Sequence, residues 1–241
     1  MKKLLFLLVF IPLVSFGQTA EEYTKSGYEK VEMGDLYGAI EDYTKAIKIN
    51  PRNSTLYYNR GTIKVTLKEY YDAIQDFQKA VEIKPNFADA YNSLGVAVID
   101  LSKWAARNIS DSNLRDKTME LSAKEAISYY NKAIQIDWNN AYAYANRANA
   151  KLKYLKDFQG AIIDYTKAIE IDDDIDVGIL TSAAMKTQIE YAIMDRIAIY
   201  YYRRGAAKYY LGDLTEACKD FKKSSELLNN SASKALAEYC N

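Results

Sequence analysis

The most constraining feature of this chain is a spacing. Ala39 and Ala73 lie 34 residues apart, and their surroundings repeat with them: GAIEDYTKAIKINP at 38–51 is answered by DAIQDFQKAVEIKP at 72–85. The pattern returns as EAISYYNKAIQIDW at 125–138, GAIIDYTKAIEIDD at 160–173 and, more loosely, EACKDFKKSSELLN at 216–229. Within each run the aromatic follows the marker alanine by four residues. In the first four runs a second alanine follows it by seven, so these side chains share one helical face. Upstream of each run lies another helical stretch with a small residue, Gly27, Gly61, Gly95, Ala148 or Gly205. Four residues before each of these stands Tyr23, Tyr57, Tyr91, Tyr144 or Tyr201.

Such a unit reads as two antiparallel helices. Gly61 and Ala73 let the backbones approach, Phe77 fills the wider gap and Tyr57 packs beside it. One hairpin cannot bury both its faces, so hairpins must stack and share their cores. A 34-residue helix-turn-helix unit with this order of Tyr, Gly, Ala, aromatic, Ala and Pro resembles the tetratricopeptide repeat. The expected fold is therefore all-α, an α-solenoid of antiparallel helix hairpins. It has five repeats, at 20–53, 54–87, 88–140, 141–175 and 198–231, forming a single superhelical domain over 18–241.

The departures from the period locate insertions. The marker alanines Ala39, Ala73, Ala126, Ala161 and Ala217 are separated by 34, 53, 35 and 56 residues. The single extra residue, near Leu155-Lys156-Asp157, asks only for a longer turn. The insertion at 96–125 contains the polar stretch RNISDSNLRD, 107–116, and reads as an elongated hairpin protruding from the stack. Its second helix starts at the capping box Ser122-Ala-Lys-Glu125 or earlier, as one longer helix. In the insertion 176–197 the stripe Met185, Ile189, Ile193, Ile197, Tyr201 predicts one helix from about 182 to 211. SASKALAEYC, 231–240, reads as a terminal capping helix.

The first residues stand apart. MKKLLFLLVFIPLVSFGQ has a basic start, a short apolar run broken by Pro12, and small residues at Ser15 and Gly17. This is the pattern of a signal peptide, residues 1–17, cleaved after Gly17. The expected location is exported, periplasmic or extracellular in a bacterium, with no transmembrane segment after cleavage. Without Lys2 and Lys3 the formal charge is about −2, which gives no reason to expect nucleic-acid binding.

Catalytic chemistry has little to stand on. The chain has no histidine, which removes a Ser-His-Asp or Cys-His nucleophile and any His-ligated metal. Asp172-Asp173-Asp174-Ile175-Asp176 alternates like a calcium loop but has Val177 where glycine must turn and Ala183 where glutamate must close, so it reads as a solvated helix end. Asn53-Ser54-Thr55 and Asn108-Ile109-Ser110 read as turns. No enzyme, cofactor or metal is expected. The two cysteines, Cys218 and Cys240, bracket a helix, a turn and a second helix, a hairpin able to bring them within disulfide reach, with two free thiols as the alternative.

Binding is what remains. In the proteins this chain resembles, the first helix of each repeat lines a concave groove that takes a partner peptide or helix. By register that groove contains Tyr28, Tyr58, Asn59, Asn92, Tyr142, Asn146, Asn149, Tyr202, Arg203, Tyr209 and Tyr210. It is neutral and tyrosine-rich, although several of these tyrosines can instead pack between repeats. Some family members clamp a C-terminal carboxylate with Lys and Asn from three successive first helices. Here Asn59 has the companions Thr24, Tyr28, Asp89 and Ser93, and the later Asn146 and Arg203 stand with Asn92, Val96 and Ile199, so no clamp is expected. The leading expectation is an exported scaffold binding a protein or peptide. The alternative is a glycan or small-ligand binder that uses the groove tyrosines.

Overall fold

The computed structural model describes residues 19–175, 183–227 and 229–240. The signal-peptide reading of 1–17 and the segment 176–180 lie outside these residues. Among the described residues the chain is all-α, with eleven helices and no strand. It divides into two compact units at Arg52/Asn53, inside what the repeat arithmetic reads as one domain.

The first unit is the hairpin of α1 (Ala20–Glu32) and α2 (Leu36–Ile49). Thr19 and Glu22 form a reciprocal capping box at its start. Gly34, at φ 80°, makes the left-handed turn, and Asp35 caps α2 through the Gly38 amide. Gly27 faces the ring of Tyr43, which is buried with Ala39 and Ala46.

The second unit is a solenoid of stacked hairpins. Its helices are α3 (Ser54–Thr66), α4 (Tyr70–Ile83), α5 (Ala88–Ala106), α6 (Ser112–Ile136), α7 (Ala141–Ala150), α8 (Phe158–Asp173), α9 (Ala183–Tyr210), α10 (Leu214–Glu226) and α11 (Asn230–Tyr239). Each core is shared between a hairpin and a neighbouring element. Phe77 of α4 packs with Leu94, Ala97 and Val98 of α5. Tyr130 of α6 packs with Ala150 at the end of α7, and Tyr165 of α8 with Tyr200 and Ala207 of α9. Burying an aromatic ring such as Phe77 contributes about 1.5–3 kcal/mol.

A buried ion pair ties most hairpins together. Arg60 grips Asp76 from two nitrogens, at 2.9 and 2.6 Å, and the Lys64 ammonium adds a third contact at 2.8 Å. Arg147 and Lys151 do the same to Asp164, and Arg204 and Lys208 to Asp220. In the first unit Ser26 and Lys30 hold Asp42. The residues that look like surface charge in the repeat thus form an interior clasp, with all four carboxylates buried. The third repeat departs: Leu94 and Tyr129 stand where the others have the cation or serine and the aspartate, and both join an apolar core instead.

The insertions are helical. The first lengthens both arms of one hairpin, α5 and α6, joined by a short turn. Asp111 caps α6 by accepting from the Asn113 and Leu114 amides. Ser122-Glu125 therefore lies inside α6, where the Ser122 hydroxyl meets Ser102 across the hairpin. The second insertion continues α9 backward from the fifth repeat. Ile193 and Ile197 are buried, and Arg196 reaches Asp172 at the end of α8 with contacts of 3.0 and 2.9 Å. Asp172 is thus buried and paired, which corrects its reading as part of a solvated helix end; Asp173 and Asp174 are exposed.

The single extra residue of the fourth repeat does not lengthen the turn. It is absorbed as a π-helical turn, Lys151–Leu155, that continues α7. Lys156 then adopts φ 56° and Asp157 caps α8, as Lys68 and Glu69 mark the same corner between α3 and α4. At the other end, α11 folds back on α10 and Cys218 is bonded to Cys240, their Cα atoms 5.7 Å apart.

Candidate functional site: a cleft lined by first helices

α5, α7 with its π turn, and α9 line a cavity of about 660 Å³ within the second unit. Asn146, Asn149, Tyr202, Arg203 and Tyr210, all expected groove residues, face it. Val96 and Ile99 of α5 and Leu152 and Tyr154 of the π turn supply apolar wall.

A ladder of polar side chains runs across the helices. Asn146 donates through Nδ2 to Asn92 Oδ1 at 3.0 Å, linking α7 to α5. Asn149 Oδ1 accepts from both Arg203 of α9 and the Tyr165 hydroxyl of α8. Burial pushes the Tyr165 phenol up to about 12, against the opposing pull of Arg203, so it remains a donor at neutral pH. Both bonds to Asn149 Oδ1 therefore hold its amide in one orientation, which leaves its Nδ2 as a fixed donor beside the cavity.

The expected tyrosines divide. Tyr58 turns inward, its ring 5.9 Å from Phe77 and 4.9 Å from Phe87, and Tyr202 lies 5.8 Å from Phe221. Tyr142 is exposed but braced by Arg196, which stacks on its ring at 4.7 Å and donates to its hydroxyl. Tyr210 stacks on Phe158 at 5.3 Å at the rim, and Tyr209 packs on Tyr239 of α11 at 4.7 Å. Asn59 is half-buried on α3, away from the cavity lining, and Tyr28 belongs to the first unit, where it is exposed.

The cleft is also more charged than the register predicts. Asp100, Lys103, Lys153 and Lys156 join Arg203 along its lining. The two lysines at 153 and 156 come from the π turn and its left-handed cap, and Asp100 and Lys103 from α5. Lys103 and Lys153 lie on an inserted stretch and on the π turn, where the period carried no signal, whereas Asp100 and Lys156 stand at positions that Thr66 and Lys68 occupy in the second repeat.

Among the described residues no group of carboxylate or cysteine side chains is placed to hold a metal ion, and no helix is long and apolar enough to cross a membrane.

Comparison with known proteins assigns the repeats. Family models described as TPR repeat and tetratricopeptide repeat match residues 27–67, 54–87 and 141–175. The chain thus carries tetratricopeptide repeats. No curated protein sequence matches it. Among solved structures, MamA is 24% identical, covers 91% of this chain and 94% of its own, and gives a TM-score of 0.61. MamA from Desulfovibrio magneticus RS-1, residues 41 to the end, is 16% identical over 88% of this chain and 96% of its own, with a TM-score of 0.64. YrrB, described as a TPR protein with an unusual peptide-binding site, is 17% identical over 91% of this chain and 92% of its own, with a TM-score of 0.61. At these identities the likeness is one of fold, an all-α helical repeat.

Proposed function

We propose that this protein is an exported interaction scaffold that holds a segment of a partner protein in the cleft between α5, α7 and α9. The observation that carries this reading is the cavity itself. At about 660 Å³ it has the size of a specific ligand site, and it combines apolar walls with the oriented amides of Asn146 and Asn149 and the guanidinium of Arg203. Amide donors and acceptors fixed by their neighbours suit the carbonyls and amides of an extended or helical peptide, and Tyr210 and Tyr154 offer rigid aromatic contact at low entropic cost. Peptide binding by the structurally similar YrrB agrees with this use of the fold. The export part rests on the leader-like residues 1–17 and on the Cys218–Cys240 bond, which persists in oxidising compartments.

The test is a phage-displayed peptide selection on the immobilised full chain, followed by fluorescence anisotropy of the selected peptides. Val96→Trp, which fills the cleft, should abolish binding, and Tyr210→Ala should weaken it about tenfold or more. Tyr28→Ala, in the first unit, should leave it unchanged, and thermal midpoints monitor folding. Selected peptides that bind all three variants equally would overturn the cleft assignment. A glycan array that lights up on the wild type and goes dark with Val96→Trp would replace the peptide with a sugar.

A further inference from the structure

We infer that the partner segment is acidic where it leaves the cleft, because the cleft opens into a basic corner that only this chain's irregular segments build. The inference rests on the reading of the cleft as a peptide site. A second cavity, of about 440 Å³, adjoins the first and shares Lys103, Lys153, Tyr154 and Lys156 with it. Arg107, at the end of α5, and Arg115, in the first turn of α6, complete its rim, and the buried Ala106 and Met119 give it an apolar floor.

The charges there are unbalanced. Lys103 is paired with the neighbouring Asp100 at 2.7 Å, and the four other cations of this cavity, Arg107, Arg115, Lys153 and Lys156, share it with one carboxylate, Asp116. Arg107 and Arg115 make no ion pair among the described residues. Lys153 stands 5.3 Å over the Tyr154 ring, and Lys156 donates to the Lys153 carbonyl at 3.2 Å, which holds the two ammonium groups on the same turn. Elsewhere the cations of the hairpins are matched to Asp76, Asp164 and Asp220, and the whole chain is formally neutral, so this excess is local. Like charges crowded together repel one another until a counter-charge arrives.

An acidic peptide is the occupant that fits. The corner is continuous with the cleft, so a chain filling one runs over Lys153 and Lys156 into the other. Arginines beside an apolar floor receive carboxylates in paired hydrogen bonds. The patch is a short concave corner and not a long stripe, so it does not track a nucleic-acid backbone. Nor does it use the first-helix positions of a terminal-carboxylate clamp.

The full chain and its selected peptides decide the matter. Each fluorescein-labelled peptide is compared with a counterpart in which Glu and Asp become Gln and Asn, at about 50 and about 300 mM NaCl to expose screening. Enriched peptides should carry Glu or Asp at one end. The pairs Arg107→Glu/Arg115→Glu and Lys153→Glu/Lys156→Glu should each weaken the acidic peptide about tenfold or more and leave its amide counterpart unaffected. The control pair Lys132→Glu/Lys222→Glu should do neither. Peptides that need the cleft, yet show no acidic bias and ignore the corner reversals, overturn this inference and leave the cleft reading standing. Failure to select any peptide that depends on Val96 and Tyr210 overturns both. Corner-dependent binding of phosphatidylserine vesicles or single-stranded DNA that the acidic peptide does not displace reassigns the corner and also overturns it.

Discussion

Gly95 faces the ring of Tyr130 so closely that a methyl group on its Cα would stand 2.5 Å from Cε1 and 2.9 Å from Cζ. The ring is buried among Ile99, Ala123, Ala126 and Ala150. The equivalent contact in the first unit is looser, with Tyr43 Cζ 3.2 Å from a methyl on Gly27.

Gly95→Ala should therefore destabilise the second unit. Overpacking costs about 1–3 kcal/mol, and the better helix propensity of alanine returns up to about 1 kcal/mol. The expected net loss, up to about 2 kcal/mol once the full propensity gain is subtracted, is read as a lower urea midpoint. Gly27→Ala should be near neutral in the first unit. Equal effects at the two sites would contradict the difference in spacing.

Asp220 should matter far more than its exposed neighbours. Asp220→Asn leaves the largely buried Arg204 without its counter-charge and Lys208 with only a long contact to Glu216 at 3.9 Å. Removing one partner of a buried pair costs about 3 kcal/mol or more. Lys219→Ala breaks an exposed pair with Glu216 and should change stability by less than about 1 kcal/mol. Parallel urea titrations compare them, and similar shifts would mean the clasp is incidental.

The bond between Cys218 and Cys240 closes a loop of 22 residues around the last helix. Replacing both with serine should lower stability by about 3 kcal/mol in the loop-entropy account. It should also raise hydrogen exchange in α11 and beside Tyr209, which leans on Tyr239. Intact mass after alkylation without reductant checks the bond directly: no label should enter the unfolded wild-type chain.

Lys68 sits at φ 64°, where the corresponding turns in the first and fifth repeats have Gly34 and Gly212. A side chain in that region costs about 1–2 kcal/mol. Lys68→Gly should therefore raise the thermal midpoint, after the entropic cost of glycine of about 0.5–1 kcal/mol is subtracted. A lowered midpoint would show that the lysine makes a contact worth more than its strain.

The hairpins were legible because their signal is local and periodic: Gly61, Ala73 and Phe77 recur at offsets that only one packing explains. The clasp was visible as letters but not as an interaction. Arg60 and Asp76 are 16 residues apart, and nothing in either helix alone says that closing the hairpin buries them. The groove was read by register and came out mixed. Asn146, Asn149, Arg203 and Tyr210 reach the cavity, Tyr202 lines it while packing on Phe221, and Tyr58 was claimed by Phe77 and Phe87. The basic corner had no sequence signal at all, since Arg107, Arg115 and Lys153 converge only after an insertion and a π turn bring three separate segments together.

That π turn has a consequence for how a repeat array can change. An α-helix rotates about 100° per residue, so one added residue ordinarily swings everything beyond it onto a new side. Over Lys151–Leu155 the extra rotation is spent locally: Ala148 before it and Ala161 after it both remain fully buried. The buried face of the repeat is kept on either side, while Leu152, Lys153 and Tyr154 of the turn between enter the cavity lining. A change of a single residue thus gives one repeat a private face without obliging its neighbours to move.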